Sequence, residues 1–228
     1  MPVLCYHHLF TGNTRQNGVY FISSIQFNAQ MKALADSGYH TILPDQLYAY
    51  FSKGTALPSK PIMLTFDDTR ASHFSIAAPI LEQYGFKAVF FVMTVPIGKP
   101  GYMTGQQIKA LADHGHVIGA HTWDHPYLTR GNINWDNQLR RPKKILEKMT
   151  GKPVVYFAYP YGQWNGEVIN ELEASGYKAA FQLNGKTNRE KPLFAIPRML
   201  ANGSWSGARL HAALKTASTA LRSCDPHR

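Results

Sequence analysis

Apolar residues along the chain fall into two rhythms. Short runs such as Pro61-Ile62-Met63-Leu64-Thr65-Phe66 and Lys87-Ala88-Val89-Phe90-Phe91-Val92 are apolar at nearly every position. Between such runs lie longer stretches in which apolar residues return every three or four positions. The first rhythm predicts strands buried on both faces and the second predicts amphipathic helices. Strands are expected at 2–6, 39–43, 61–66, 86–92, 117–120, 154–158, 178–182 and 194–197. Helices are expected where Phe27, Met31 and Leu34 follow a Ser24 N-cap, where Ile108 and Leu111 follow Thr104, from Ser72 to Tyr84, and around Ile145 and Met149.

Four amphipathic stretches end in glycine followed by an aromatic residue or histidine: Gly38-Tyr39, Gly85-Phe86, Gly115-His116 and Gly176-Tyr177. Glycine tolerates the left-handed conformation that closes a helix, so each unit reads as helix, turn, strand. Continuous apolar strands alternating with helices give a parallel sheet covered on its outside. No low-complexity linker divides residues 1–228, which read as one α/β domain. A (β/α) barrel, complete or irregular, and an open doubly wound sheet both fit.

With 44% hydrophobic residues, the chain of 228 can build a core and is not a disordered protein. It has no apolar run near the ~18 residues of a membrane-spanning helix. Two cysteines, Cys5 and Cys224, exclude a disulfide-dense scaffold, and their pairing is not legible in the sequence. The net charge of +10 is uneven: residues 1–130 hold nine Lys and Arg against seven acids, residues 131–228 fifteen against seven. Such a half favours anionic membrane or wall polymer, or is a solvated helix face around Arg140, Arg141, Lys143, Lys144 and Lys148. It lacks aromatic interleaving or a nucleic-acid motif, so no nucleic-acid partner is expected. Met1-Pro2 leads into Val3-Leu4-Cys5-Tyr6 without a basic region or cleavage site, which fits either a cytoplasmic protein or one whose leader is missing.

No GxGxxG, Walker A or Gly-x-Ser-x-Gly sequence follows an expected strand, which argues against nucleotide binding and serine hydrolysis. Polar residues instead collect just after strands, where α/β barrels build active sites. His7 and His8 follow 2–6, Asp67-Asp68 follow 61–66, His121 to His125 follow 117–120, and Tyr159-Pro160-Tyr161-Gly162 follow 154–158. Adjacent carboxylates repel unless a cation or proton separates them, although Asp is also a common helix cap. His121 and His125, four apart, can face one point. An Asp joined to two His suits a hydrolytic Zn²⁺ site and equally a non-haem Fe(II) triad. The alternating short strands of an Fe(II) jelly roll are absent.

Thr65-Phe66-Asp67-Asp68, His121-Thr122-Trp123-Asp124-His125 and Phe157-Ala158-Tyr159-Pro160-Tyr161-Gly162 resemble the first three motifs of the polysaccharide deacetylases, the NodB-like carbohydrate esterase family 4. The likeness spans about residues 2–200. It implies a distorted (β/α)7 barrel with its active site at the C-terminal strand ends, and metal-dependent hydrolysis of acetyl groups on sugars. It also implies Asp67 as general base, and Asp68, His121 and His125 around one divalent ion, Zn²⁺ first, with Ni²⁺ or Co²⁺ also accepted. Val3-Leu4-Cys5-Tyr6-His7 is similar to the family's last motif moved to the N-terminus, which makes His7 the catalytic acid and His8 its neighbour. The late Leu210-His211 falls in an expected helix.

The chain departs from the family pattern where Ala158 stands in place of the arginine that orients the base. Whether Arg198 replaces it is open at this level, and no Asp- and Trp-based fourth motif is found. Tyr161, with its backbone N–H, is the candidate oxyanion residue. Tyr159, Pro160, Trp164 and Trp123 are candidates for contacting sugar, or for ordinary rim and core packing. The early His7 motif and the Tyr-Pro-Tyr-Gly turn are similar to poly-β-1,6-N-acetylglucosamine deacetylases of biofilm systems, and imply an acetylated polysaccharide substrate outside the cytoplasm. Chitin, peptidoglycan or xylan O-acetyl groups, and a non-catalytic polysaccharide-binding module, are the alternatives.

Overall fold

The computed structural model describes residues 1–12, 16–183 and 185–221, with side chains as far as 215. Cys224 lies outside these residues, and Cys5 is a buried free thiol. The strands are β1 (Val3–Tyr6), β2 (His8–Phe10), β3 (Phe21–Ser23), β4 (His40–Thr41), β5 (Pro61–Phe66), β6 (Val89–Val92), β7 (Val117–Ala120), β8 (Tyr156–Ala158), β9 (Ala179–Gln182), β10 (Ile196–Pro197) and β11 (Met199–Leu200). The helices are α1 (Ser24–Asp36), α2 (Pro44–Lys53), α3 (Ala78–Gln83), α4 (Gly105–Asp113), α5 (Arg141–Thr150), α6 (Gly166–Ala174) and α7 (Gly207–Leu221).

The main sheet runs β10-β9-β8-β7-β6-β5-β1-β11, every pairing parallel, with β4 added beside β5. Its two ends are one piece of chain. Ile196 and Pro197 pair with β9, and two residues later Met199 and Leu200 pair with β1. The segment 196–200 therefore closes the sheet on itself and changes partners at Arg198. Counted as one staggered strand, it makes a seven-stranded barrel among the described residues. The open-sheet alternative is excluded.

Alternation along each strand sorts side chains into two layers. Val3, Met63, Val89, Phe91, Tyr156, Ala158, Ala179, Phe181 and Ile196 fill the barrel. Leu4, Tyr6, Leu64, Phe66, Phe90, Ile118 and Phe157 face outward against Phe27, Met31, Leu34, Ile108 and Leu172 of the helices. Gly119 has no room for a side chain, since a Cβ there would meet the Phe91 ring at 2.5 Å and the Tyr156 carbonyl at 3.0 Å.

The strands are shorter than the apolar runs suggest, and β2, β3 and β11 were not expected. β2 and β3 form a separate two-stranded parallel sheet beside β1, built from His- and Ser-containing segments without a strong apolar rhythm. The first helix is capped by Ser23, one residue before the expected Ser24, its side chain accepting from the Gln26 N–H. Thr104 caps as expected, in a reciprocal box with Gln107. Gly38, Gly85, Gly115 and Gly176 all have positive φ, as the helix-ending pattern requires. Two π-helical turns, His73–Ala77 and Asp136–Arg140, lead into α3 and α5.

The tight packing at Gly119 carries a stability prediction. Gly119→Ala should cost about 1–3 kcal/mol, the usual penalty for overfilling a packed core. A urea midpoint unchanged from wild type would show that the barrel interior has slack there.

Candidate active site

The parallel register fixes which side chains meet. Cys5 pairs with Thr65 and Tyr6 with Phe66, and the Asp67 N–H donates to the Tyr6 carbonyl, so the residues next beyond the strands, His7 and Asp67, stand side by side. Asp67 Oδ2 lies 4.0 Å from both His7 Nε2 and His121 Nε2. Asp68 Oδ1 lies 3.7 Å from His121 Nε2 and 3.8 Å from His125 Nε2. Asp68, His121 and His125 each offer one donor atom within 4.8 Å of the others. The chain therefore brings His7, Asp67, Asp68, His121 and His125 together at the C-terminal ends of β1, β5 and β7.

The backbone is bent to achieve this. Six described non-glycine residues have φ between +43° and +78°, and five of them (Asp68, Thr69, Thr122, His125 and Tyr161) belong to these loops. Such conformations cost of order 1–3 kcal/mol each and persist only where surrounding contacts impose them. Those contacts are visible. Buried Thr69 exchanges hydrogen bonds with Met93, donating to its carbonyl and accepting from its N–H. Buried Thr122 donates to the His121 carbonyl and accepts from the His125 N–H at 2.9 Å. The π-turns each place a polar side chain beneath the rim. His73 hydrogen-bonds the His7 carbonyl, and Gln138 binds the Trp123 N–H and the Asp124 carboxylate.

The set fits a metal on the chemistry of its donors. His121 Nδ1 is 2.7 Å from the Ala158 carbonyl and so carries the proton, leaving the Nε2 lone pair facing Asp68. Burial, reinforced by His121, pushes His125 down to about 4, so it is a neutral imidazole at physiological pH, as a ligand must be. Carboxylate plus two imidazoles suits Zn²⁺ and its neighbours in the first transition series.

Asp67 is only 1% exposed. Burial would raise its pKa, but Arg198 and His121 outweigh that and hold it well below the usual carboxylate range. Arg198 Nη1 and Nη2 each donate to one Asp67 oxygen at 2.7 Å, and Nη1 also contacts Thr65 Oγ1 at 3.2 Å. Arg198 thus stands where the Ala158 position lacks its arginine, reaching Asp67 from across the barrel. Burial lowers His7, against the pull of Asp67 and Asp68.

The aromatic expectations divide. Tyr161 is 47% exposed, sits 4.5 Å from the His125 ring and stacks on Tyr127 at 3.9 Å, with Arg130 over Tyr127. Tyr159 is a correction. It is fully buried, and its hydroxyl donates to the Phe194 carbonyl, so it offers no face to a sugar. Pro160 is buried as well. Trp164 packs against the sheet–helix core, and Trp123 lies under the Arg141 guanidinium at 4.0 Å. Sequence reasoning missed Cys5, Tyr20 and His73. Cys5 was detectable, because strand alternation puts it on the face shared by Val3 and His7. Tyr20 packs edge-on against His7 at 5.1 Å.

Residues 54–180 match the family model described as polysaccharide deacetylase. The chain belongs to the polysaccharide deacetylase family. The poly-beta-1,6-N-acetyl-D-glucosamine N-deacetylase of Staphylococcus aureus (strain MRSA252) is 26% identical over 226 residues, 86% of this chain and 77% of that protein. The YxkH protein of Bacillus subtilis (strain 168), provisionally named a polysaccharide deacetylase, is 28% identical across 95% of this chain and 76% of its own length. Among solved structures, the deacetylase PplD of Streptococcus pyogenes in complex with acetate superposes with a TM-score of 0.85 over 93% of this chain and 96% of that one. At 24% identity, that likeness speaks for the barrel fold. IcaB from Ammonifex degensii is 26% identical, with a TM-score of 0.77 and coverage of 92% and 95%. His7 and Arg198 both lie outside the matched family segment and join the polysaccharide deacetylase site only through the closed barrel.

The ion pair carries the prediction of this section. Removing one partner of a buried pair costs about 3–5 kcal/mol, so Arg198→Met should be destabilised by that order. In metal-free wild type, the depressed Asp67 contributes stability that is complete above its unfolded value of about 4 and is lost as pH falls below it. In the variant, burial without the guanidinium raises Asp67, so stability should instead decline as pH rises past about 4. Urea midpoints across that range check both signs, and parallel curves for the two proteins would contradict the pairing.

Proposed function

We propose that the chain is a metal-dependent N-deacetylase of a β-linked N-acetylglucosamine polymer, poly-β-1,6-N-acetylglucosamine first, acting outside the cytoplasm. The observation that carries this reading is the Asp68, His121 and His125 donor set, with a buried carboxylate and an imidazole, Asp67 and His7, held 4.0 Å apart beside it. Asp68, His121 and His125 would hold a divalent ion, Zn²⁺ first, which would polarise the acetyl carbonyl and acidify a water.

Asp67 accepts the proton of the attacking water. Arg198 keeps that carboxylate ionised and aimed, which lowers its basicity but fixes its position, and position is worth more in a preorganised site. The Tyr161 N–H donates to the oxyanion as the carbonyl becomes tetrahedral. His7, as the imidazolium that Asp67 and Asp68 favour against burial, gives its Nε2 proton to the departing nitrogen and is left neutral. An amine leaves far less readily than an alcohol unless protonated, so a dedicated acid favours amide over ester substrates. Tyr161 offers the exposed ring for a sugar face.

The preference for the 1,6-linked polymer is supported by the S. aureus relative and by the position of His7 early in the chain. A polymeric substrate is the reason for placing the activity outside the cytoplasm. Surface attachment through residues 140–152 has less charge available than the sequence suggests. Arg140 pairs with Glu171, Arg141 covers Trp123, Lys143 pairs with Glu147 and Lys152 donates to the Ala112 carbonyl. Arg141, Lys144, Lys148 and Lys152 are the exposed cations of that segment.

Acetate release from 1,6-linked N-acetylglucosamine oligomers should exceed release from chitin oligomers and acetylated xylan, and should stop with chelator. Xylan as the best substrate overturns the polymer assignment. Asp67→Asn should keep its metal and lose turnover, with stability followed because Arg198 loses its partner. His7→Ala should lower turnover roughly 10²–10⁴-fold, the usual contribution of a positioned acid. A larger loss at His8, whose ring lies against Phe21, would reassign the acid.

A further inference from the structure

A second group of donors stands beside the first. Cys5 Sγ lies 3.6 Å from Asp67 Oδ2 and 3.9 Å from His7 Nδ1, and His7 Nε2 lies 4.0 Å from Asp67 Oδ2. One donor atom from each of the three residues falls within 4.8 Å of the others. Tetrahedral zinc with one sulfur ligand has ligand-to-ligand edges of about 3.3–3.6 Å, and only one His7 nitrogen can join it, so the three donors, within 4.8 Å of one another, must close in by up to roughly 1.5 Å. We infer that Cys5, His7 and Asp67 form a second, inhibitory cation site that takes a thiophilic divalent ion such as Zn²⁺, Cd²⁺ or Co²⁺. That it inhibits rests on the roles proposed above for Asp67 and His7. That it binds does not.

The two sites differ in chemistry. Asp68, His121 and His125 offer only oxygen and nitrogen, whereas the second group adds a sulfur, which selects soft ions and leaves out Mg²⁺. The second site is also the weaker one. Asp67 already accepts from Arg198 on both oxygens and meets a second cation only through its remaining lone pairs. Burial favours the protonated Cys5 thiol, so the incoming ion must displace that proton to solvent. An ion held there occupies the base and the acid together. Excess metal then stops an enzyme that one metal activates.

The test starts from protein loaded with one equivalent of metal. Titration with Zn²⁺ should bind a second equivalent, and turnover should fall ~10²-fold or more, the scale of a lost acid or base. With Co²⁺, the second equivalent and not the first should bring an intense near-ultraviolet thiolate charge-transfer band. Cys5→Ser should hold one equivalent, lack the band and resist excess Zn²⁺, while Cys224→Ser should behave as wild type. If Cys5→Ser fails to fold by circular dichroism, Cys5→Ala takes its place. A single equivalent bound by wild type, or a band that survives loss of Cys5, overturns the site. Stoichiometry and the band are read without turnover. A protein that binds the second ion but releases no acetate from any polymer therefore refutes the proposed function and leaves the site standing.

Discussion

The Arg198–Asp67 ion pair joins the two hardest problems of this molecule. A carboxylate buried to near completion is expensive, and a barrel of seven strands must close somewhere. Both are resolved at one residue. Arg198 sits where the segment 196–200 leaves β9 for β1, its N–H donating to the Gln182 carbonyl, and its side chain crosses the interior to grip both oxygens of Asp67. Closure of the fold and ionisation of Asp67 are thus one interaction. A lysine could supply the charge but not the planar two-pronged match, so the geometry selects arginine. The interior makes room by keeping its neighbours small, with Ala158 where the family carries its own arginine and Gly119 against Phe91.

Strain is concentrated where the chemistry is. Left-handed backbone at Asp68, Thr122, His125 and Tyr161 turns side chains toward one point, which regular strand ends would splay apart. The supports are buried and specific: Thr69 to Met93, Thr122 to both flanking groups, Gln138 under Trp123 and Asp124, and His73 under His7. Each π-turn inserts an extra residue before a helix and so rotates one polar side chain beneath the rim. Departures from regular geometry of this kind are tolerated near functional sites because the packed sheet and helices supply the stability they consume.

Much of this was legible in the sequence, and the limits have physical causes. Strand-end placement made the rim visible, since Asp67, Asp68, His121 and His125 each follow an apolar run closely. Helix ends were visible because their glycines answer to a local backbone demand. What stayed hidden depended on distant partners. Arg198 stayed an open candidate for the missing arginine because nothing local shows that its strand closes the barrel. Tyr159 and Tyr161 are two residues apart in one turn, yet one is sealed under Phe194 and the other is half exposed, a difference set by tertiary packing alone. The basic run from Arg140 to Lys152 read as free charge, yet Arg140 and Lys143 are paired with Glu171 and Glu147, while Arg141 on Trp123 and Lys152 on a carbonyl keep both charge and exposure.

Barrel closure also explains why a histidine at the start of a chain can stand on the same rim as residues from its end. In an open sheet, the first and last strands are far apart, and transferring a motif between them would carry its side chain away from the site. Here β1 lies between β5 and β11, with Leu4 opposite Met199 on one side and Leu64 on the other. A strand in that slot faces the same neighbours whether it is translated first or last, so the register that sets His7 beside Asp67 is indifferent to chain order. Only the connections change. In this chain the link from β1 onward runs through β2 and β3, and that detour delivers Tyr20 to the edge of His7. The position of a residue in the sequence is thus a poor guide to its place on a closed rim, and its strand neighbours are a good one.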